Sequence, residues 1–202
     1  MEIKKVLVIT VLFMSLTIAL QAQGRDDNAL NKVLAHMGLT LSVPEGFKEI
    51  PKVPQGETGV YYDKGYKSNI MDFEVRFFVM PIEDMSERNP VGFFRDFLKT
   101  IIVNLTQNGY YILHNDYIKS FPNAAVREDF GGDLGYYCLV TGQSDFMKGY
   151  NWVNITVVYK QGKGLFMIFQ LFSDKEILMR NKAVFDSSFY ILRFAHDEGS
   201  SG

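Results

Sequence analysis

The acidic residues are the first place in this sequence where chemistry could reside. Asp129, Phe130 and Gly131 spell the triplet that holds magnesium in protein kinases. A kinase also needs a glycine-rich loop over the phosphates, a strand lysine and a catalytic loop with Asp and Asn, none of which is present. Asp129 and Asp133 flank Gly131-Gly132 and are weak candidates for a hard cation, which takes several oxygen ligands closed by a bidentate acid. Two acids with Glu128 adjacent fall short of that set. The stretch reads instead as a turn whose glycines take positive φ, and no metal is expected. Asp72 and Glu74 alternate along a strand, which sets their Cβ atoms about 7 Å apart, a range in which two carboxylates share acid–base work. Arg76 follows on the same side, so the three read as a solvated face.

The remaining reactive types do not converge. His36, His114 and His196 fall at no recognisable spacing, no serine sits in a nucleophile elbow, and there is no phosphate loop. Cys138 is the single cysteine, so no internal disulfide can form. Set in the apolar run "LGYYCLVTG", it reads as a small buried hydrophobe. No catalytic residue and no cofactor is therefore assigned. The aromatics are left: Tyr136, Tyr150 and Trp152, with Asp145 and Lys148 in the intervening "SDFMKGY", are the candidate ligand- or partner-binding residues. Tyr and Trp combine an apolar body with a polar tip, which suits recognition.

These residues must be held by elements that the patterning predicts. Asp26 or Asp27 starts a helix with Leu30, Val33, Leu34 and Met37 at helical spacing, and Gly38 stops it. "LTLSVPEGFKEI" reads as two extended pieces around a Pro-Glu-Gly turn, and "GVYYDK" as a brief strand. "NIMDFEVRFFVMP" alternates with period two, which predicts one buried and one mostly wet face. "NPVGFFRDFLKTIIVNLTQNG" is the clearest helix: Asn89 caps it, Pro90 opens it, Asn108-Gly109 ends it, and its apolar stripe packs on a sheet. "YYILHNDYIKSF" predicts a strand, "PNAAVREDF" a turn or two of helix, and "GYYCLVTG", "YNWVNITVVYK" and "GLFMIFQLFS" three strands. The last two join through Gln161 to Gly164, and the third is a central strand covered on both faces. "DKEILMRNKAVFDSS" predicts a second amphipathic helix and "SFYILRF" a closing strand. The order defines an α+β domain, a mainly antiparallel sheet flanked by two principal helices.

The amino terminus carries an address. Lys4 and Lys5 precede an uncharged apolar run from Val6 to Leu20, with small and polar residues around Ala22, the layout of a secretory signal peptide. The run is about 15 residues, short of the roughly 20 that span a membrane. Residues 1–22 are thus read as a signal peptide, 23–195 as one domain and 196–202 as a flexible tail. No cysteine lies at the junction for acylation, so the expected product is exported, periplasmic or secreted, and not a lipoprotein. It has no integral membrane segment after cleavage. Losing residues 1–22 leaves 19 basic and 22 acidic residues, a net charge of −3. That near-neutral balance argues against nucleic acid as a partner. With 17 Phe and 11 Tyr, there is ample material for one core.

"SVPEGFKEI", a strand, the long helix, the strand meander, a late helix and "SSFYILRF" together resemble the layout of the PsbP-like fold, an α/β/α sandwich. That resemblance implies a protein that binds partners or assists assembly and is not an enzyme. "AAVREDFGGDLG", "SDFMKGYNW", "LFMIFQLFSDKE" and the signal end "LQAQ" are similar to exported proteins of Bacteroides-type bacteria. The expectation is an exported non-catalytic binding or accessory protein of the bacterial envelope, with a protein or envelope component as partner. The alternatives are a small hydrolase using Asp129, Asp133 or Asp72 with Glu74, and an immunity or inhibitor protein.

Overall fold

A computed structural model describes residues 25–52, 59–82, 89–106, 117–176 and 181–195. The segment 1–22 read as a signal peptide, the helix end expected at Asn108-Gly109, His114, most of the strand expected at 110–121 and the segment 196–202 read as a tail lie outside the described residues.

Local signals open the chain as expected. Helix α1 (Asp27–Met37) begins where the Asp26 side chain accepts a hydrogen bond from the Ala29 N–H at 2.7 Å, and ends at Gly38 with φ 66°. Strand β1 (Leu39–Leu41) follows, then β2 (Phe47–Ile50), β3 (Lys64–Ser68) and β4 (Phe73–Pro81). Helix α2 (Pro90–Thr106) buries Phe94, Leu98, Ile102 and Leu105, and Asn89 accepts from the Gly92 N–H at 3.3 Å. Strand β5 (Lys119–Ser120), helix α3 (Asn123–Phe130), β6 (Leu134–Thr141), a 3₁₀ turn (Asp145–Met147), β7 (Trp152–Lys160), β8 (Gly164–Phe172), helix α4 (Lys182–Phe189) and β9 (Leu192–Phe194) complete the order.

Seven strands form one antiparallel sheet in the order β2-β3-β4-β8-β7-β6-β5, and β1 pairs with β9 in a separate two-stranded ribbon. Strand β8 is central and buried along its whole length, as its apolar run requires. Helix α2 covers one face, against Phe78, Met80, Tyr136, Cys138, Ile155, Phe169 and Leu171. Helices α1, α3 and α4 cover the other, against Phe73, Val75, Phe77, Phe166 and Ile168. The result is a three-layered α+β domain. Within the second layer Gln170 is the one polar residue of β8. It accepts from Asn154 at 2.8 Å and donates to the Ser188 hydroxyl at 2.7 Å and the Phe185 carbonyl at 3.1 Å, so no polar atom of its amide is wasted in the core.

Three expectations need correction. "GVYYDK" forms no strand before Lys64, because the buried Asp63 carboxylate takes the Val79 N–H at 2.8 Å in place of a ladder bond. Arg25 completes that site with 3.2 and 3.4 Å contacts to the same carboxylate. The closing strand is short, since Ser188 and Phe189 remain in α4 and leave Leu192–Phe194 to pair with β1. Most consequentially, β4 has no wet face. Glu74 and Arg76 are both buried and ion-paired, with the Arg76 guanidinium against the edge-to-face pair of Tyr62 and Phe146, 4.9 and 4.7 Å from their centroids. Arg76 also donates to the Phe146 carbonyl, which pins the 3₁₀ turn over this part of the sheet.

Candidate functional site

The polar residues with unusual surroundings gather at one end of the sheet. Phe73 of β4, Phe172 of β8 and Trp152 of β7 lie in one register row. The next residue outward on each strand is Asp72, Ser173 and Asn151. The Ser173 hydroxyl donates to the Asp72 carboxylate, and the Asn151 amide donates to the Ser173 carbonyl at 3.1 Å. Lys67, near the end of β3, reaches the other Asp72 oxygen at 3.2 Å, and its ammonium lies 5.7 Å from the centre of the Tyr150 ring. On the opposite side of the row, the Lys175 ammonium stands 3.7 Å from the centre of the Trp152 ring. Ile70, in the β3–β4 turn, is 72% exposed, the most exposed large apolar side chain among the described residues.

The electrostatics of this rim are one-directional. Asp72 is held below the usual carboxylate range, chiefly by the Ser173 hydroxyl, with Lys67 adding to it. The Tyr150 oxygen and then Asp72 raise the Lys67 ammonium above its ordinary value. Burial, with the Glu74 charge behind it, pushes the Tyr150 phenol up to about 12. The Tyr150 hydroxyl is buried beside Lys67 and Asp72 and closes a hydrogen bond of ordinary geometry with neither. Elsewhere, burial raises the Cys138 thiol far above its ordinary value, in keeping with an inert core cysteine.

The five residues expected to bind do not form one groove. Tyr150 and Trp152 reach the rim but on opposite faces of the sheet: Tyr150 belongs to the α2 layer, Trp152 to the edge of the α4 layer. Asp145 and Lys148 are exposed on the turn between them and the sheet. Tyr136 is buried under α2, five residues along β6 from the rim, about 17 Å by strand rise. The acids separate likewise. Asp133 accepts the Gln161 N–H at 2.8 Å and fixes the β7–β8 hairpin, while Asp129 lies near Tyr190. Among the described residues no group of three His, Cys, Asp or Glu is placed to hold a metal ion. Asp72 is outside β4 and half-exposed, whereas Glu74 is buried with Arg76, so the two do not share one solvated face.

Lys67, Ile70, Ser173 and Lys175 were not singled out in the sequence. Of these only Ile70 carries a local signal, an isoleucine beside Met71 in the turn "KSNIMD". The others become neighbours through pairings that span up to 101 residues.

No protein-family model matches the chain, and no curated protein matches it. Among solved structures that match is the solution structure of cyanobacterial PsbP (CyanoP) from Synechocystis sp. PCC 6803. It is 14% identical, with 79% of this chain and 88% of that chain covered and a TM-score of 0.42. The likeness to exported Bacteroides-type proteins gains no support from family models or curated proteins.

Proposed function

We propose that this is an exported, non-catalytic binding or accessory protein of the bacterial envelope, and that it meets a protein or envelope partner through the rim built by Lys67, Ile70, Asp72, Tyr150, Trp152 and Lys175. The observation that carries this reading is the gathering of charged, hydroxyl and apolar side chains from separate strands at one end of the sheet, with Ile70 72% exposed among them. A general acid or base works best with a pKa near the working pH. Here the acid is pushed down and the lysine and phenol are pushed up. Such groups keep fixed charges and donors at neutral pH, as the polar groups of a contact surface do. Ile70 and Trp152 add apolar area at the same end, the mixture typical of a contact surface.

The test is a pull-down with residues 23–202 from envelope and secreted fractions of the source organism. A partner retained by wild type and by Glu128→Lys, on α3 at the far end of β7, but lost with Ile70→Asp and with Trp152→Ala, supports the reading. A partner held equally by all four proteins places the contact elsewhere. Asp72→Ala and Glu74→Ala assayed against a broad hydrolase panel address the enzymatic alternative: the proposal predicts no activity for them to remove.

A further inference from the structure

The β6–β7 connection covers more of the sheet than a turn between neighbouring strands needs to. From Gly142 to Gly149 it folds back over the face that carries Arg76 and Phe169, with the 3₁₀ turn at its centre. Phe146 and Met147 are turned inward, 5% and 1% exposed, and the Phe146 ring stands 5.0 Å from that of Phe169 and 5.8 Å from that of Tyr62. Met147 donates its N–H to the Ser144 carbonyl at 2.9 Å and Lys148 to the Asp145 carbonyl at 3.3 Å, both within the segment. The Gly142 N–H closes the base on the Asn151 carbonyl at 3.3 Å, and Arg76 pins the middle through the Phe146 carbonyl. Gly149, with φ 88°, turns the chain back to Tyr150, which stays at the rim beside Lys67.

Closure leaves several polar groups in poor surroundings. Ser144 is 3% exposed and, among the described residues, its hydroxyl has no hydrogen-bond partner. Such a group destabilises the closed arrangement, and contact with water removes the cost. Beneath the segment lie Glu74 and Arg76, an ion pair held out of water where apolar side chains of similar volume would stabilise at least as well. Opening returns these groups to solvent, while the burial of Phe146 and Met147 opposes it. The segment is thus closed by two apolar side chains working against its polar ones, whereas the strands beneath are tied by ladder bonds along their length.

We infer that Gly142–Gly149 is a lid: it opens locally between its two glycines while the sheet stays folded, and uncovers the Arg76 guanidinium and the aromatic seat that Phe146 fills. In the closed form Phe146 is the internal occupant of that seat, edge-on to Tyr62 and Phe169 and against the guanidinium. The open form presents a cation, its paired carboxylate and two aromatic rings on a face that the closed form hides. This device stands apart from the partner contact proposed for Ile70 and Trp152.

The experiment is thiol labelling of the folded protein, with Cys138 as the internal reference. Cys138 is 1% exposed in the middle of β6, so its reaction reports opening of the sheet itself. Met147→Cys and Ser144→Cys each place a second thiol in the lid, and Ser144→Cys is close to isosteric and leaves Phe146 and Met147 in place. Reaction with iodoacetamide is followed by mass spectrometry from zero to sub-denaturing urea. The lid predicts that each introduced thiol reacts about 100-fold faster than Cys138 and with a much weaker urea dependence, because local opening exposes little surface. Gly38→Ala, at the distant end of α1, should raise Cys138 labelling about fivefold and leave the lid thiols unchanged. Introduced thiols that follow Cys138 both in urea and in Gly38→Ala would mean that the segment opens only with the whole domain, which overturns the lid. Thiols that react as fast as a fully exposed cysteine overturn it as well, since the segment would then not be closed.

Discussion

At the scale of single residues, the informative side chains are the charged ones that the fold has taken out of water. Glu74 and Arg76 form a buried ion pair whose guanidinium rests on Tyr62 and Phe146, and such a pair stabilises little relative to apolar packing but is costly to break singly. Arg76→Leu should therefore destabilise the domain by about 3–5 kcal/mol, while Glu74→Leu with Arg76→Leu should recover much of that loss. Urea denaturation of the three proteins checks this, and equal losses in the single and double variants would refute it. Asp72 makes a different contribution, legible in pH. Its folded pKa lies below the ordinary 3.8, so its stabilisation is present above the unfolded value and is lost as pH falls through the lowered one. Asp72→Asn should flatten the decline in urea midpoint below about pH 4, and should leave the midpoint's pH dependence between about 5 and 8 unchanged.

At the scale of elements, two glycines that end helices separate backbone preference from packing. Gly38 and Gly131 both cap with left-handed φ, 66° and 64°. A side chain on Gly38 would meet nothing within 4 Å, whereas on Gly131 it would run into the Phe194 carbonyl, the end of β9. Gly38→Ala should cost about 1 kcal/mol, the left-handed strain alone, and Gly131→Ala about 3 kcal/mol, because β9 must also shift. Thermal unfolding of both variants measures the difference. Caps, the long helix and the central strand were legible in the sequence because each is specified within a dozen residues. The face of β4 was not. Its alternation of Glu74 and Arg76 with Val75 and Phe77 is the pattern of a half-wet strand, and only the turn holding Phe146, 70 residues away, makes it a buried one. The same distance explains the candidate site. Tyr150 and Trp152 could be picked by residue type, but Tyr150 precedes β7 in the turn, so the period of two that would put both on one face does not reach it, and Lys67, Ser173 and Lys175 join them only through sheet register.

At the scale of the whole molecule, the three-layered sandwich leaves the ends of its sheet as the places where strands stop and side chains from distant segments meet. At one end of β7, the hairpin is closed by Asp133 and by glycines pressed against neighbouring backbone, a purely architectural solution. At the other, the strands end among Lys67, Asp72, Tyr150, Trp152 and Ser173, charged and polar side chains from distant segments that contact one another. The glycine-rich run from Asp129 thus belongs to the architectural end, and "SDFMKGYNW" leads into the end proposed above to meet a partner. Among the described residues no helix is long and apolar enough to cross a membrane. A photo-crosslinking amino acid at position 70, compared with one at position 128 on α3, is the most direct test of which end meets a partner. The account predicts a single crosslinked species in envelope extracts from position 70, competed away by excess unlabelled wild type and absent from position 128. Crosslinking from position 128 alone, or from both with equal yield, would contradict it.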